Sequence, residues 1–317
     1  MVFSSPSFLF IFLPATLLTY FALPPRARNL FLLCASLVFY AYGEGWFTLL
    51  MLTSIVMNWG VASLMASRFS RSKKIFLVLA VLLNLCLLCF FKYATFFVEE
   101  VNRFLAMWQI APLPVPHIHL PLGISFFTFQ AMSYVIDCYR GTVAVEKNLL
   151  RVGLYITLFP QLIAGPIVRY STIAAALIRR HITIASFLWG LRRFVFGLAK
   201  KVLIANTLAV TVDRIFALPT SELTTPLAWL GAVCFIGQVY HDFSGYSDMA
   251  IGIGRMLGFR FRENFDYPYI GTSVREFWRR WHISLSTWFR DYLYICLLYT
   301  SDAADDLLCV DLGGRRI

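Results

Sequence analysis

Residues 75–91 read IFLVLAVLLNLCLLCFF, an uncharged stretch whose apolar character continues to about residue 97. An α-helix of roughly 20 such residues spans the hydrocarbon core of a bilayer, so this stretch predicts a transmembrane helix. Its Cys86 and Cys89 form a CxxC pair, which we interpret as membrane-facing filler rather than as a redox or zinc site. Comparable runs, one of them short, predict five crossings in the first half of the chain: 8–23, 29–42, 46–66, 75–97 and 120–139.

Composition supports a membrane protein without a soluble module. Of 317 residues, 59% are hydrophobic and 14% are charged, far from the balance of a soluble domain. The net charge of +11 comes from short Lys and Arg clusters between apolar runs, a pattern typical of topology determinants, and we expect no nucleic acid partner. These clusters follow the first, third and fifth runs. Because loops rich in Lys and Arg stay in the cytoplasm, this order predicts an N-terminus outside the cytoplasm. The predicted fold class is all-α and polytopic.

Two later segments depart from simple crossings. Residues 154–168, LYITLFPQLIAGPIV, are interrupted by prolines and a glycine, which predicts a broken, re-entrant segment covered by protein. Residues 184–218 carry Arg192, Arg193, Lys200 and Lys201 on one side of a helix. That side indicates either an interfacial helix whose cations reach lipid head groups, or a basic wall for an anionic donor. A crossing at 202–218 and a return at 226–241 would then leave 242–281 in the cytoplasm.

The stretch REFWRRWHISLSTWFRDYLYI, Arg275 to Ile295, predicts one interfacial amphipathic helix, because its aromatic residues recur at three- and four-residue spacing. His282 lies on the apolar side, where desolvation favours the neutral imidazole that can accept a proton. A lone histidine on such a face is more often a hydrogen-bonded core residue. The choice between a structural histidine and a base therefore depends on its neighbours.

Two polar blocks precede that helix. HDFSGYSDMAIGIGRMLG, His241 to Gly258, places polar groups at the membrane edge, where they are costly unless partnered or functional. FRENFDYPYIGTS, Phe261 to Ser273, is a loop rich in hydrogen-bonding side chains. The GIG in the first block lacks a preceding strand and the GYS lacks the second glycine of a nucleophile elbow, so neither a dinucleotide site nor a serine hydrolase is predicted.

The joined stretch 261–295 closely resembles the signature of membrane-bound O-acyltransferases, in the branch of alginate O-acetyltransferases. Three more blocks, 121–141, 158–170 and 241–252, are similar to that branch and follow in the same order. The resemblance implies transfer of an acyl group from a cytoplasmic thioester, acetyl-CoA ahead of an acyl carrier protein, to hydroxyls of an extracytoplasmic polysaccharide or cell-wall polymer. It also implies a bacterial inner-membrane protein, membrane lipids around it and an extracytoplasmic acyltransferase partner protein.

By the same resemblance His282 matches the histidine of a W-H-x-S motif and is the expected catalytic residue. We expect no metal and no bound cofactor, the acyl thioester being a substrate. A membrane transporter and a non-catalytic scaffold are the rival interpretations; the first would often show two similar halves, and the second leaves the polar block unexplained. The residues expected to line the donor or substrate are Asn264, Trp278, Trp281, Ser284, His241, Asp242, Lys200 and Lys201.

The end of the sequence departs from that family. After Ile295 the resemblance predicts a Pro-Leu-Gly-Gly stretch and, later, a second, catalytic histidine in a Leu-Trp-His-Gly context, whereas this chain reads CLLYTSDAADDLLCVDLGGRRI. We therefore expect residues 1–295 to form an incomplete membrane domain. Residues 296–317 are expected to be a non-native read-through tail, and this chain to be inactive by itself.

Overall fold

A computed structural model describes residues 2–67, 72–116, 118–163 and 165–295, and the regular secondary structure in these ranges is helical, with no strand. Residues 296–317, predicted as a non-native tail, lie outside the described residues. A π-helical turn at Phe8–Phe12 leads into the α-helices α1 (Leu13–Ala22), α2 (Arg28–Glu44), α3 (Phe47–Ala66), α4 (Lys73–Met107), α5 (Ile124–Arg140), α6 (Leu149–Thr157), α7 (Phe159–Leu162), α8 (Tyr170–Ile178), α9 (Ile184–Ala199), α10 (Asn206–Phe216), α11 (Thr225–Met256), α12 (Val274–Arg280) and α13 (Ile283–Phe289).

Shorter helical pieces complete the secondary structure. Lys200–Ala205 is a π-helical segment that joins α9 to α10, Pro268–Ile270 is a 3₁₀ turn, and Arg290–Tyr294 is a second π-helical segment after α13. The chain divides into two compact units, Met1–Glu263 and Asn264–Ile317. The all-α prediction is confirmed.

Three helices in the described ranges are long and apolar enough to cross a membrane: Phe47–Ala66, Lys73–Met107 and Ile184–Phe216. Only 11% of the most apolar 18-residue stretch of α4 is buried inside the protein, so the large apolar side chains of this helix suit contact with lipid. The crossing predicted at 75–97 lies within α4, which continues to Met107 through polar residues that hydropathy treats as a loop. By contrast α5, predicted as a crossing, is buried along most of its length.

One polar contact joins α3 to α4. Asn58 and Asn84 are both fully buried and exchange hydrogen bonds: Asn58 Nδ2 donates to Asn84 Oδ1 at 3.2 Å, and Asn84 Nδ2 donates to Asn58 Oδ1 at 2.8 Å. Each Nδ2 also donates to a carbonyl one turn back in its own helix, that of Ser54 or of Ala80. Amides in an apolar environment are stable only when paired in this way, so the two helices are bonded to each other as well as packed.

The broken segment after α5 forms as the sequence predicts. Helices α6 and α7 are separated at Leu158, whose backbone is not helical (φ −50°, ψ 108°), and the side chains of α7 are all buried. The orphan N–H of Phe159 donates to Ser36 Oγ at 3.1 Å, and Gln161 Nε2 donates to the carbonyl of Tyr155. Protein groups therefore bond the Phe159 N–H and the Tyr155 carbonyl at the break. That the segment re-enters from the cytoplasmic side stays a prediction.

Glu146 lies in the connection between α5 and α6 and ties several helices together. Its backbone carbonyl accepts from Trp59 Nε1 of α3 at 3.1 Å, and its backbone N–H donates to the Tyr134 hydroxyl of α5 at 3.0 Å. Its carboxylate accepts from Arg151 at 3.2 Å and from the Tyr170 hydroxyl at 3.1 Å. A single loop residue thus bonds to α3, α5, α6 and α8.

Helices α9 and α11 approach each other through glycines. A Cβ on Gly197 would lie 2.5 Å from the carbonyl oxygen of Gly245, and a Cβ on Gly252 would lie 2.6 Å from that of Gly190. Paired small residues allow two helix backbones to come this close. The crossing predicted at 226–241 lies within α11, which continues beyond it to Met256, and Asp248 in that continuation pairs with Arg193 of α9.

Candidate functional site

The two helices α12 and α13 meet at His282. Ser273 caps α12 by accepting the N–H of Glu276 at 3.1 Å. Trp281 is extended, and His282 adopts the left-handed conformation (φ 42°, ψ 53°) before α13 starts. The prediction of one continuous helix from Arg275 to Ile295 is therefore wrong.

The loop before α12 explains the break. The N–H of Ile283 donates to the carbonyl of Asn264 at 2.9 Å, and the N–H of Asp266 donates to the carbonyl of Arg280 at 2.9 Å. These bonds replace hydrogen bonds that a continuous helix would make. Periodicity describes the faces of a helix but carries no information about a loop that pairs with its backbone, so it could not find this break.

His282 is 7% exposed and lies against Asn264, which is fully buried. The imidazole Nδ1 is 3.1 Å from Asn264 Oδ1, and the same oxygen accepts the Ser284 hydroxyl at 2.8 Å and the Ser284 N–H at 3.1 Å. Burial lowers the pKa of His282 to about 4, which favours the neutral ring at physiological pH. The structure thus brings together three of the predicted site residues.

Aromatic side chains fix the residue just before the histidine. The Trp281 ring stacks on Phe277 with centroids 5.6 Å apart and meets Phe265 edge to face at 5.0 Å. Tyr269 adds a tilted contact at 6.2 Å. Trp278, the other predicted tryptophan, has an exposed ring that contacts Phe277 edge to face at 5.6 Å. Trp281 belongs to an aromatic cluster that holds the backbone beside His282, whereas Trp278 presents a free face.

The remaining predicted residues belong to the other compact unit, Met1–Glu263. Lys201 Nζ forms an ion pair with Asp242, and Lys200 Nζ lies 2.6 Å from Asp248 Oδ2. The His241 imidazole contacts the carbonyl oxygen of Gly237, one turn earlier in α11, at 2.8 Å. Lys200 and Lys201 start the π-helical segment, and their partners lie on α11. Neither interpretation of the basic helix included these pairs.

Asp248 is the centre of that network. Its carboxylate is 8% exposed and receives Lys200 on one oxygen and Arg193 on the other, Arg193 Nη2 lying 2.7 Å from Oδ1. Arg193 also reaches Glu263 at 2.5 Å, whereas Arg192 is exposed. The sequence marked Asp248 as one of the polar groups at the membrane edge, which are costly unless partnered or functional. It did not predict the pairing of Asp248 or Glu263, because the partners lie 48 to 70 residues away along the chain.

The arrangement can perform proton transfer. A neutral, buried imidazole held by hydrogen bonds can take a proton from a hydroxyl group in reach of its lone pair. Among residues 2–67, 72–116, 118–163 and 165–295, no group of three or more His, Cys, Asp or Glu side chains is placed to hold a metal ion.

The sequence is similar to members of one known protein family. The model of the membrane-bound O-acyltransferase family matches residues 38–303. The chain is 49% identical over 299 residues to the "Probable alginate O-acetylase AlgI" of Pseudomonas aeruginosa, covering 94% of this chain and 57% of that protein. The protein of the same name from Azotobacter vinelandii is also 49% identical over 299 residues, with 94% and 60% covered.

The name of a more distant relative specifies a different polymer. The "Peptidoglycan O-acetyltransferase" of Helicobacter pylori is 36% identical over 330 residues, covering 94% of this chain and 62% of that protein. This chain therefore spans between 57% and 62% of the length of these three relatives. Because the family match extends over most of the sequence and includes the α12–α13 region, the chain belongs to the membrane-bound O-acyltransferase family.

Proposed function

We propose that this chain is the membrane-embedded part of an O-acyltransferase that acetylates hydroxyl groups of an extracytoplasmic polysaccharide or cell-wall polymer. The observation that carries the proposal is the buried, neutral His282 held by Asn264 within the region that matches the family. The relatives support the polymer class of acceptor, since their names specify alginate and peptidoglycan. The donor in this proposal is a cytoplasmic acyl thioester, with acetyl-CoA preferred.

The proposed reaction requires one base. The acceptor hydroxyl attacks the thioester carbonyl carbon while its proton moves to the His282 imidazole, and a C–O bond forms. The tetrahedral intermediate then collapses, the C–S bond breaks, and the thiolate takes the proton from the imidazolium. The ester and the free thiol are the products, and His282 returns to its neutral form. A pKa of about 4 makes the lone pair available at every physiological pH, although it lowers the proton affinity of the base.

The proposed setting is a multi-pass protein of a bacterial inner membrane with its N-terminus outside the cytoplasm. Three helices long enough to cross the bilayer and the family match support a membrane location. The alternation of Lys and Arg clusters supports the orientation. The proposal includes surrounding lipids and an extracytoplasmic acyltransferase partner that delivers the polymer.

The test is acetyl transfer in membranes. Residues 1–295 are continued by the C-terminal part of the Pseudomonas aeruginosa relative, and this chimaera is compared with the 317-residue chain. Labelled acetyl-CoA and alginate are supplied, and polymer-bound label is measured. We expect transfer by the chimaera, and a loss of about a hundred- to ten-thousand-fold on His282→Gln, the usual contribution of a positioned base. We expect the 317-residue chain to remain at background.

A matched control tests whether the loss of transfer is specific to His282 or follows from replacing any histidine. His181 is exposed, and His181→Gln should leave transfer unchanged. Full activity of the His282→Gln chimaera would remove His282 from the chemistry. Robust transfer by the 317-residue chain would contradict the expectation that it is inactive by itself.

A further inference from the structure

The orientation of the Asn264 side chain can be established from one unambiguous donor. Amide nitrogen and oxygen are hard to distinguish by shape, so their positions follow from the groups that face them. The backbone N–H of Ser284 can only donate, and it points at Oδ1 at 3.1 Å. A flipped amide would place an NH₂ group against that N–H. The atom facing Ser284 and His282 is therefore the oxygen.

The same oxygen decides which imidazole nitrogen carries the proton. His282 Nδ1 lies 3.1 Å from Asn264 Oδ1, a hydrogen-bond distance. If Nδ1 held a lone pair, two lone pairs would face each other in a buried site, which is strongly unfavourable. The Ser284 hydroxyl does not reverse this assignment, because it lies 2.8 Å from Asn264 Oδ1 but 3.5 Å from Nδ1. Nδ1 is therefore the protonated nitrogen.

Asn264 also fixes the main chain that carries the ring. Its carbonyl oxygen accepts the N–H of Ile283, the residue after His282. His282 itself holds a left-handed backbone conformation (φ 42°), which is uncommon outside glycine and persists where the surroundings enforce it. One residue thus restrains both the backbone and the ring orientation of the histidine.

We propose that Asn264 is a positioning residue that holds His282 in its Nδ1–H tautomer, so that Nε2 presents the lone pair that accepts the proton of the acceptor hydroxyl. The assignment of Nε2 as the base rests on the proposed function. When Nε2 takes the proton, the ring becomes an imidazolium with N–H groups on both nitrogens, and the Nδ1–H bond to Asn264 becomes charge-assisted and stronger. When the departing thiolate recovers the proton, the original tautomer is restored. Asn264 never exchanges a proton in this cycle.

The tautomer can be read without measuring activity. The full chain, labelled with ¹⁵N-histidine and reconstituted in lipid bilayers, is studied by solid-state NMR at pH 7, and the His282 signals are assigned by their loss in His282→Gln. The side chain of free histidine in water favours the Nε2–H form. We expect His282 to show a protonated Nδ1 and an unprotonated Nε2.

Two variants with opposite expectations complete the design. Asn264→Leu removes the acceptor, and we expect the proton to move wholly or partly to Nε2. Ser284→Ala removes one donor to Oδ1 but leaves the backbone N–H that orients the amide, so we expect the wild-type pattern. Asn264→Asp keeps an acceptor oxygen and should also keep Nδ1–H, which provides a folded comparison if Asn264→Leu does not fold.

An Nε2–H pattern in the wild-type protein would overturn the proposal, as would an unchanged Nδ1–H pattern in Asn264→Leu. Failure of acetyl transfer together with the expected NMR pattern would contradict the proposed function and leave the tautomer assignment intact. Acetyl transfer with the opposite tautomer would contradict only the role of Asn264.

Discussion

Gly197 of α9 and Gly245 of α11 face each other so closely that a Cβ on either would come within 2.5 to 2.7 Å of the other's carbonyl oxygen. We predict that Gly197→Ala forces α9 away from α11 and destabilises the protein by about 1–3 kcal/mol, the usual cost of overpacking. Thermal unfolding in detergent measures this. The control is Gly60→Ala in α3, where a Cβ meets nothing within 4 Å. Equal stability of the two variants would contradict the close approach.

The ion pairs of Asp248 give a second prediction. Asp248→Asn leaves Arg193 and Lys200 without their shared carboxylate, at a cost we place at about 1–3 kcal/mol, between that of an exposed and a buried pair. Both cations are partly exposed, which limits the penalty. Glu263→Gln, which removes a half-exposed carboxylate from the same Arg193, should cost less than about 1 kcal/mol. Unfolding midpoints of the two variants should therefore differ. A larger loss in Glu263→Gln would show that Glu263, and not Asp248, is the more important carboxylate of the network.

Lowering the pH should reduce the stability of the protein, because it protonates the Glu146 carboxylate. Burial raises the pKa of this carboxyl, but hydrogen bonds from the Asn148 N–H, Arg151 and Tyr170 outweigh that effect and hold the pKa below its usual range. The carboxylate therefore contributes stability that is complete above about pH 4.5 and is lost as the pH falls below it.

Glu146→Gln should remove this contribution, about 1–3 kcal/mol at pH 7, and flatten the acid limb of stability plotted against pH. The matched control is Glu100→Gln, because Glu100 is exposed and pairs with Arg103 one turn away. Parallel acid limbs in wild type and Glu146→Gln would show that Glu146 titrates normally.

His282 should also make the stability of the protein depend on pH. Here burial lowers the pKa, whereas hydrogen bonds lower that of Glu146. An unfolded histidine takes up a proton below about pH 6.5, whereas folded His282 resists until about pH 4, because burial disfavours the charged form. Stability should thus fall as the pH drops from 6.5 to 4, by up to ~3 kcal/mol. The difference in unfolding midpoint between wild type and His282→Gln should change across this range. A difference independent of pH would mean that the imidazole is not desolvated.

Topology can be tested with single cysteines in a cysteine-free background. We predict that a cysteine at Glu99 reacts with a membrane-impermeant reagent added outside, and that one at Thr172 does not until the membrane is opened. The basis is the alternation of basic connections. Labelling of both from outside would contradict a segment 154–168 that enters and leaves on the cytoplasmic side.

The parts of the fold that were predictable are those determined by local pattern. Apolar runs located α2 and α3 to within two residues at each end, and the prolines and glycines of 154–168 predicted the break at Leu158. Long-range pairing was not predictable. Hydropathy ended the predicted crossing at residue 241 because it counts Asp242 and Asp248 as polar, whereas α11 continues to Met256 and these two residues pair with Lys201 and Lys200.

The candidate site shows the same division. The motif and the apolar surroundings indicated His282 and its neutral form. That Asn264, 18 residues earlier, would contact the ring depends on a loop folding back on the α12–α13 junction. The sequence predicted that Asn264 lines the substrate. Its hydrogen bonds to His282 and Ser284 instead suit a residue that positions the histidine.

The exchanged amides of Asn58 and Asn84 constrain how the protein can move. Sliding α3 along α4 by one helical turn, about 5.4 Å, would separate both pairs and leave amides facing hydrocarbon. Even a small sliding step is opposed, since the two bonds break together. The two bonds fix the register between the helices, so we expect α3 and α4 to move together as one hairpin.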